Sequence, residues 1–213
     1  MHVRKSGRIV SFNPVCPSLS GVDTMIDRRT FGIFLPLLAL SVGKALAAGS
    51  ETFTDLDATR DRLFERLAAA KDEEEGRQAE SAIWRFWLDH ADPLINAAMY
   101  DAMRRRDSYE WDEALAVFDR VIELAPDYAE GYNQRAFVLF LKERDDDAMV
   151  DLKRTLELEP MHFGAMAGMA LILQRANKQD EAFDWLRKAI AIHPFLKERH
   201  MLPGATPDNT QRL

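Results

Sequence analysis

A chain of 213 residues, 47% hydrophobic and 30% charged, holds enough apolar material for one buried core, and that balance excludes both a disordered polymer and a membrane-embedded bundle. Its formal net charge of −7 argues against nucleic acid and anionic lipid as partners, because affinity for both grows with Lys and Arg. The single cysteine, Cys16, excludes an intrachain disulfide.

The first segment, residues 1–24, is polar and basic without periodicity, and is expected to be an upstream extension from a misassigned start, with Met25 as the true one. Residues 25–47 then carry the three parts of a secretory signal: Arg28 and Arg29, an apolar run from Phe31 to Gly43, and Ala45-Leu46-Ala47 with small residues where a signal peptidase reads. The run is about 13 residues, short of the roughly 20 that a membrane-crossing helix needs. Cleavage after Ala47 is expected. Arg28-Arg29-Thr30-Phe31 resembles the twin-arginine export motif, but Gly32 and Ile33 depart from its usual end, so twin-arginine and general secretory routes both stay open. Removing this segment takes away six basic and two acidic residues, which leaves 22 basic and 33 acidic, a net charge of about −11. It also removes Cys16, and with it any thiol nucleophile or lipid anchor. The protein is expected in the periplasm, with no membrane insertion after cleavage.

Over residues 48–94, apolar positions recur at helical spacing in two stretches, 55–70 (Leu56, Leu63, Phe64, Leu67) and 79–91 (Ile83, Trp84, Trp87, Leu88), separated by the charged turn from Lys71 to Gly76. They predict a helical hairpin that caps the N-terminal end of the segment beginning at residue 95. Trp84, Phe86 and Trp87 could alternatively form a partner surface, since aromatics dominate binding hot spots. Asp92-Pro93 then supplies a capping acid and a first-turn proline for the next helix.

From residue 95 the chain repeats itself. Ala102, Ala136 and Ala170 are 34 residues apart, as are Ala114, Ala148 and Ala182, then Phe118, Leu152 and Leu186, then Val121, Thr155 and Ala189, and finally Pro126, Pro160 and Pro194. Paired helices stacked in series explain each register. Small residues let helix axes approach, large ones fill the adjoining turn, and proline stops the second helix.

This pattern resembles the tetratricopeptide-repeat (TPR) family, most fully in Tyr132, Ala136, Leu139, Ala148, Leu152 and Pro160. The third repeat follows it with Met166, Ala170, Leu173, Ala182, Leu186, Ala189 and Pro194. The first repeat departs in its leading helix, where Ala98, Asp101 and Arg105 replace large apolar residues, and recovers with Trp111, Ala114, Phe118 and Pro126. The resemblance implies an all-α solenoid of three helix pairs at 95–128, 129–162 and 163–196, behind the N-terminal helical hairpin and followed by a short tail, 197–213. It implies a non-enzymatic module that holds a protein or peptide partner in the concave groove, with no cofactor, and together with the export signal this gives an expected adaptor or assembly factor of the bacterial cell envelope. The family's groove positions fall here on Asn96, Met99 and Met103, on Asn133, Phe137 and Phe140, and on Ala167, Leu171 and Gln174. Asn133 and Arg135, beside Tyr132, are the polar groups placed to bond a peptide backbone, with pairing of Arg135 to a neighbouring helix as the alternative. The clamp of cations with which some relatives take acidic C-termini is missing, since Met99, Met103, Gln134, Gly164 and Gly168 stand in its places.

Cover for the last repeat is thin in the sequence, which leaves an alternative: a self-assembling structural protein that docks through its C-terminal repeat. The methionines Met99, Met103, Met161, Met166 and Met169 read either as an adaptable surface or as core. No two of the five histidines stand three or four apart, so metal binding is not expected. The acid runs Asp72 to Glu75 and Asp145 to Asp147 lack the alternating ligands of a calcium loop.

Overall fold

Three times in succession an alanine-rich helix reverses and returns as a second one, because each alone has an apolar stripe that only a neighbour can cover. The computed structural model describes the backbone of residues 45–204 and the side chains of residues 55–204. Among them the regular elements are eight α-helices, α1 (Ala45–Ala68), α2 (Glu73–Leu88), α3 (Pro93–Asp107), α4 (Trp111–Leu124), α5 (Ala129–Leu141), α6 (Asp145–Leu158), α7 (Phe163–Arg175) and α8 (Gln179–Ile192), and a closing 3₁₀ turn, Lys197–Met201. The extension over 1–24, the leader apart from its last residues, which begin α1, and the tail beyond residue 204 lie outside the described residues.

The pairs α3/α4, α5/α6 and α7/α8 are the three repeats. The alanines at positions 102, 136 and 170 and at 114, 148 and 182 are buried, as are Phe118, Leu152 and Leu186. Thr155 joins Val121 and Ala189 in the core because its hydroxyl donates to the Asp151 carbonyl at 3.0 Å. The reversal inside each pair recurs in the backbone: Tyr109, Glu143 and Asn177 take left-handed φ angles of 64°, 58° and 60°. The amides after them, on Glu110, Arg144 and Lys178, donate to the carbonyls of Arg105, Leu139 and Leu173 at 3.0, 2.9 and 2.9 Å. A non-glycine residue in this region costs about 1 kcal/mol, offset here by satisfying helix-end carbonyls.

The irregular first repeat has a physical reason. Tyr132, Arg135 and Leu139 of α5 and Met166, Met169 and Leu173 of α7 face the preceding pair, whereas α3 has none before it. There Asp101 accepts from Arg105 at 2.7 Å and from Arg104, and Arg105 reaches Glu110 at 3.5 Å. α3 thus closes the front of the solenoid with its own polar face.

The hairpin therefore does not cap the first repeat, and the sequence expectation is corrected. The acid run opens α2 rather than forming a turn: Asp72 accepts from the Glu75 amide at 2.9 Å and Glu75 accepts from the Lys71 amide at 2.9 Å, a reciprocal cap. α2 then lies across the second and third repeats, running against their order. Glu73 pairs with Arg199, Gly76 receives Phe195, Glu80 approaches His193, Trp87 stacks on His162, and the Leu88 carbonyl accepts from the Tyr128 hydroxyl at 3.0 Å. Tyr128, His162 and Leu196 are one repeat apart, so the hairpin meets equivalent positions of successive repeats. Phe64 and Leu67 of α1, with Ala79 and Ile83 of α2, share one apolar cluster with Phe163, Leu186 and Leu196. The end that looked bare in the sequence is covered by the chain's own N-terminal hairpin.

Two glycines permit this approach. A Cβ on Gly76 would come within 2.6 Å of the Phe195 ring, and one on Gly164 within 2.6 Å of the Trp84 indole. Gly164→Ala is expected to lower stability by about 1–3 kcal/mol through overpacking, read by urea unfolding, with the hairpin's tryptophan fluorescence reporting the loss.

Candidate partner-binding groove

With α2 seated over the N-terminal ends of α5 and α7, the concave face is only half open. Between α2, α5 and α7 there remains a cavity of about 340 Å³, lined by Trp84 and Glu80 of α2 and by Phe137, Phe140 and Leu171 of the leading helices, with Arg106 and Lys197 also in its wall. Phe137 is 47% exposed although it sits among apolar neighbours. The Arg106 guanidinium lies 5.3 Å from the centre of the Phe137 ring, and that of Arg175 lies 3.9 Å from the Phe140 ring. Both rings thus carry a cation on one face, a favourable contact for an aromatic quadrupole.

Behind the cavity is a buried polar network. Glu130, 1% exposed, accepts from Gln134 Nε2 at 2.5 Å and from Asn133 Nδ2 at 3.2 Å, and its Oε2 is 2.9 Å from His162 Nε2. His162 Nδ1 accepts from the Ala165 amide at 3.0 Å and caps α7, so the ring proton is on Nε2 and points at Glu130. Gln134 Oε1 accepts from Arg106. A buried carboxylate is tolerable only when its lone pairs are met in this way. Nearby, the Glu80 carboxyl is held below its ordinary range, chiefly by His193 3.3 Å away and then by the Trp84 indole N–H and Lys197, which together outweigh its partial burial. Burial pushes the Tyr128 phenol up, so its hydroxyl keeps the proton it donates to Leu88.

The ten residues expected in the groove divide. Asn133, Phe137, Phe140, Ala167 and Leu171 line the cavity, but the Asn133 amide is spent on Glu130. Met99 is core and faces no solvent, and Met103 packs half-buried on the same core. Asn96 instead ties down the hairpin's exit: its Oδ1 accepts from the His90 amide at 2.8 Å and its Nδ2 donates to the His90 carbonyl at 2.7 Å. Gln174 is half-buried outside the cavity lining. Arg135 points between helices, its Nε and Nη2 each donating to Asp151 at 2.7 Å and its Nη1 to Asp119 at 2.7 Å. These carboxylates hold its guanidinium even more firmly protonated than usual. It joins α4, α5 and α6, the pairing that the sequence offered as the alternative to a peptide contact. Met166 and Met169 are core, while Met161 is exposed. Among the described residues no three His, Cys, Asp or Glu are grouped to hold a metal ion.

The sequence reading missed Trp84, Arg106, Glu130, Gln134 and His162 as a connected set. One signal was available: α7 reads Phe163-Gly-Ala-Met-Ala-Gly-Met-Ala-Leu-Ile-Leu173, apolar on every face, and such a helix is covered on every face.

No protein-family model matches the chain. It is similar to a TPR repeat-containing protein of Rhizobium etli, 31% identical over 134 residues, which are 63% of this chain and 66% of that protein. It is also similar to sperm-associated antigen 1 of Mus musculus, 32% identical over 87 residues, 41% of this chain and 10% of that protein. The chain thus spans just under two thirds of the first relative and a tenth of the second. Among solved structures it is similar to MamA, with 16% identity and a TM-score of 0.45 over 73% of this chain and 96% of that one. A second is YrrB, described as a TPR protein with an unusual peptide-binding site, with 19% identity and a TM-score of 0.45 over 61% and 62%.

The ion-pair assignment of Arg135 makes a distinguishing prediction. Arg135→Ala strands the buried Asp151 carboxylate and is expected to cost about 3 kcal/mol, whereas Asp119→Ala, at an exposed carboxylate, costs about 1 kcal/mol or less. Urea unfolding of the two variants checks the difference.

Proposed function

Because the chain belongs to the tetratricopeptide-repeat proteins, we propose that it is a non-enzymatic adaptor or assembly factor of the bacterial cell envelope that holds a peptide or helix of another protein in the open half of its groove. The observation that carries this reading is the strip formed by Phe137, Phe140 and Leu171. It runs across the leading helices α5 and α7 beside α2, and Phe137 keeps nearly half its surface in water while the equivalent ground nearer the helix starts is covered. Large aromatics left exposed beside a cavity favour association, since covering them releases about 25 cal/mol per Å² of apolar area. Enzymatic chemistry has little support: the buried Glu130 and His162 bond each other and helix ends rather than facing the cavity.

The export reading rests on the Arg28-Arg29 pair, the short apolar run and Ala45-Leu46-Ala47, and the similarity to a Rhizobium protein is consistent with a bacterial setting. The rival reading of self-assembly through the C-terminal repeat loses its premise, because Leu196 is buried and Phe195 packs on Gly76 within one chain.

Two outcomes are expected. In affinity capture from an envelope extract, the double variant Phe137→Glu/Phe140→Glu retains less than about a tenth of the bound partner while unfolding like the unaltered chain; equal capture by both would sink the groove reading. In cell fractionation the mature chain begins at Ala48 in the periplasm; a cytosolic chain that keeps residues 25–47 would refute export.

A further inference from the structure

The groove and the hairpin are not independent. Arg106 lies in the cavity lining, over Phe137 and with its Nε donating to Asp107 at 2.9 Å, and from it a line of hydrogen bonds runs inward: Arg106 to Gln134, Gln134 to Glu130 at 2.5 Å, and Glu130 to His162 at 2.9 Å. The line ends under the hairpin, where the indole of Trp87 lies flat on the His162 ring, 3.9 Å between centres and 8° between planes. We propose that this line is a coupling device: the hairpin α1–α2 is a docked element, and its hold on the repeats depends on whether Arg106 is engaged with Gln134 or drawn away by something in the groove.

Each link is directional. Gln134 is buried, and Arg106 fixes which end of its amide points inward; with Oε1 held outward by the guanidinium, Nε2 faces Glu130. Without Arg106 the amide either leaves Oε1 unmet in a buried place or turns it against a carboxylate, and both are costly. Glu130 in turn sets His162. The ring bonds the Ala165 amide through Nδ1 and Glu130 through Nε2, and two opposed bonds fix its plane. Trp87 needs that plane for its stacked contact, and Trp84 packs edge-on to the same ring at 5.6 Å. Both tryptophans belong to the hairpin, so the orientation of one buried histidine carries the state of the groove edge to α2. Coupling of this kind is reciprocal: whatever loosens the hairpin also frees Arg106.

Arg175 supplies the contrast. It covers Phe140 as Arg106 covers Phe137, but its other bonds go to Asp145 and the Phe140 carbonyl, with no route to the hairpin.

The inference rests on the groove reading only for what would draw Arg106 away, and its test needs no partner, so failure of partner capture and failure of coupling are seen separately. Hydrogen exchange with mass spectrometry on the full chain reads the opening of α2 directly. Arg106→Ala is expected to speed exchange over residues 73–88 about tenfold, the effect of one buried polar group left unmet, with α4 and α6 unchanged, while Arg175→Ala leaves α2 as in the unaltered chain. Adding Arg106→Ala to Trp87→Ala, which removes the stacked contact itself, should bring little further acceleration. The proposal is overturned if Arg106→Ala leaves α2 exchange unchanged, if it accelerates all helices alike, if Arg175→Ala matches it, or if the two effects simply multiply in the double variant.

Discussion

Helix axes come close only where the side chain between them is a methyl group or nothing, and that constraint organises this molecule at two scales. Within each repeat, alanines at 34-residue intervals let the two helices of a pair approach, and the large residues one turn away fill the space left beside the crossing. Between the repeats and the hairpin, Gly76 and Gly164 do the same for α2. Remove the first kind of contact and there is no solenoid. Remove the second and the hairpin has nowhere to lie.

The two scales differ in how visible they are from the sequence. The repeat is written three times, so each position is confirmed by two others, and stacking is a nearest-neighbour matter that local spacing controls. The pairing of α3 through α8 could therefore be read directly. The destination of the hairpin is written once. Its contacts join residues as far apart as Glu73 and Arg199, and no periodicity announces them. Amphipathic spacing showed that α1 and α2 were helices with a face to bury, but it was silent on whether that face met the first repeat or the last. Polar residues at Asp101 and Arg105 and the apolar stretch 163–173 of α7 together held the answer: one end of the solenoid needed no cover and the other needed it on the groove side as well.

The groove shows the same division. Positions carried over from the repeat pattern located Phe137, Phe140 and Leu171, because which residues of a leading helix face the concave side is set by helical geometry. The pattern failed for Arg135, which lies on the side facing the neighbouring helices and finds an aspartate in front of it and another behind, and for Met99, which the core absorbs. It also gave no hint that Asn133 would be consumed by a buried carboxylate. These outcomes turn on which partner stands opposite, a property of pairs of residues rather than of single positions.

That α2 runs against the order of the repeats has a consequence for how the chain reaches this state. The hairpin is synthesised first, yet Phe195, Leu196 and Arg199, which close over it, are among the last described residues to be made. Until they exist, α2 can meet α1 and, once α7 is made, His162 and Phe163, but the contacts that close its other end over Glu73 and Gly76 are missing. Loop closure over such a separation is slow compared with stacking of adjacent helix pairs, so the repeats can zip up locally while the hairpin waits. A nascent chain would therefore keep part of this apolar segment uncovered until late in its assembly, and the step most vulnerable to aggregation or to a chaperone's intervention is the last, when the hairpin is closed over by the turn after α8.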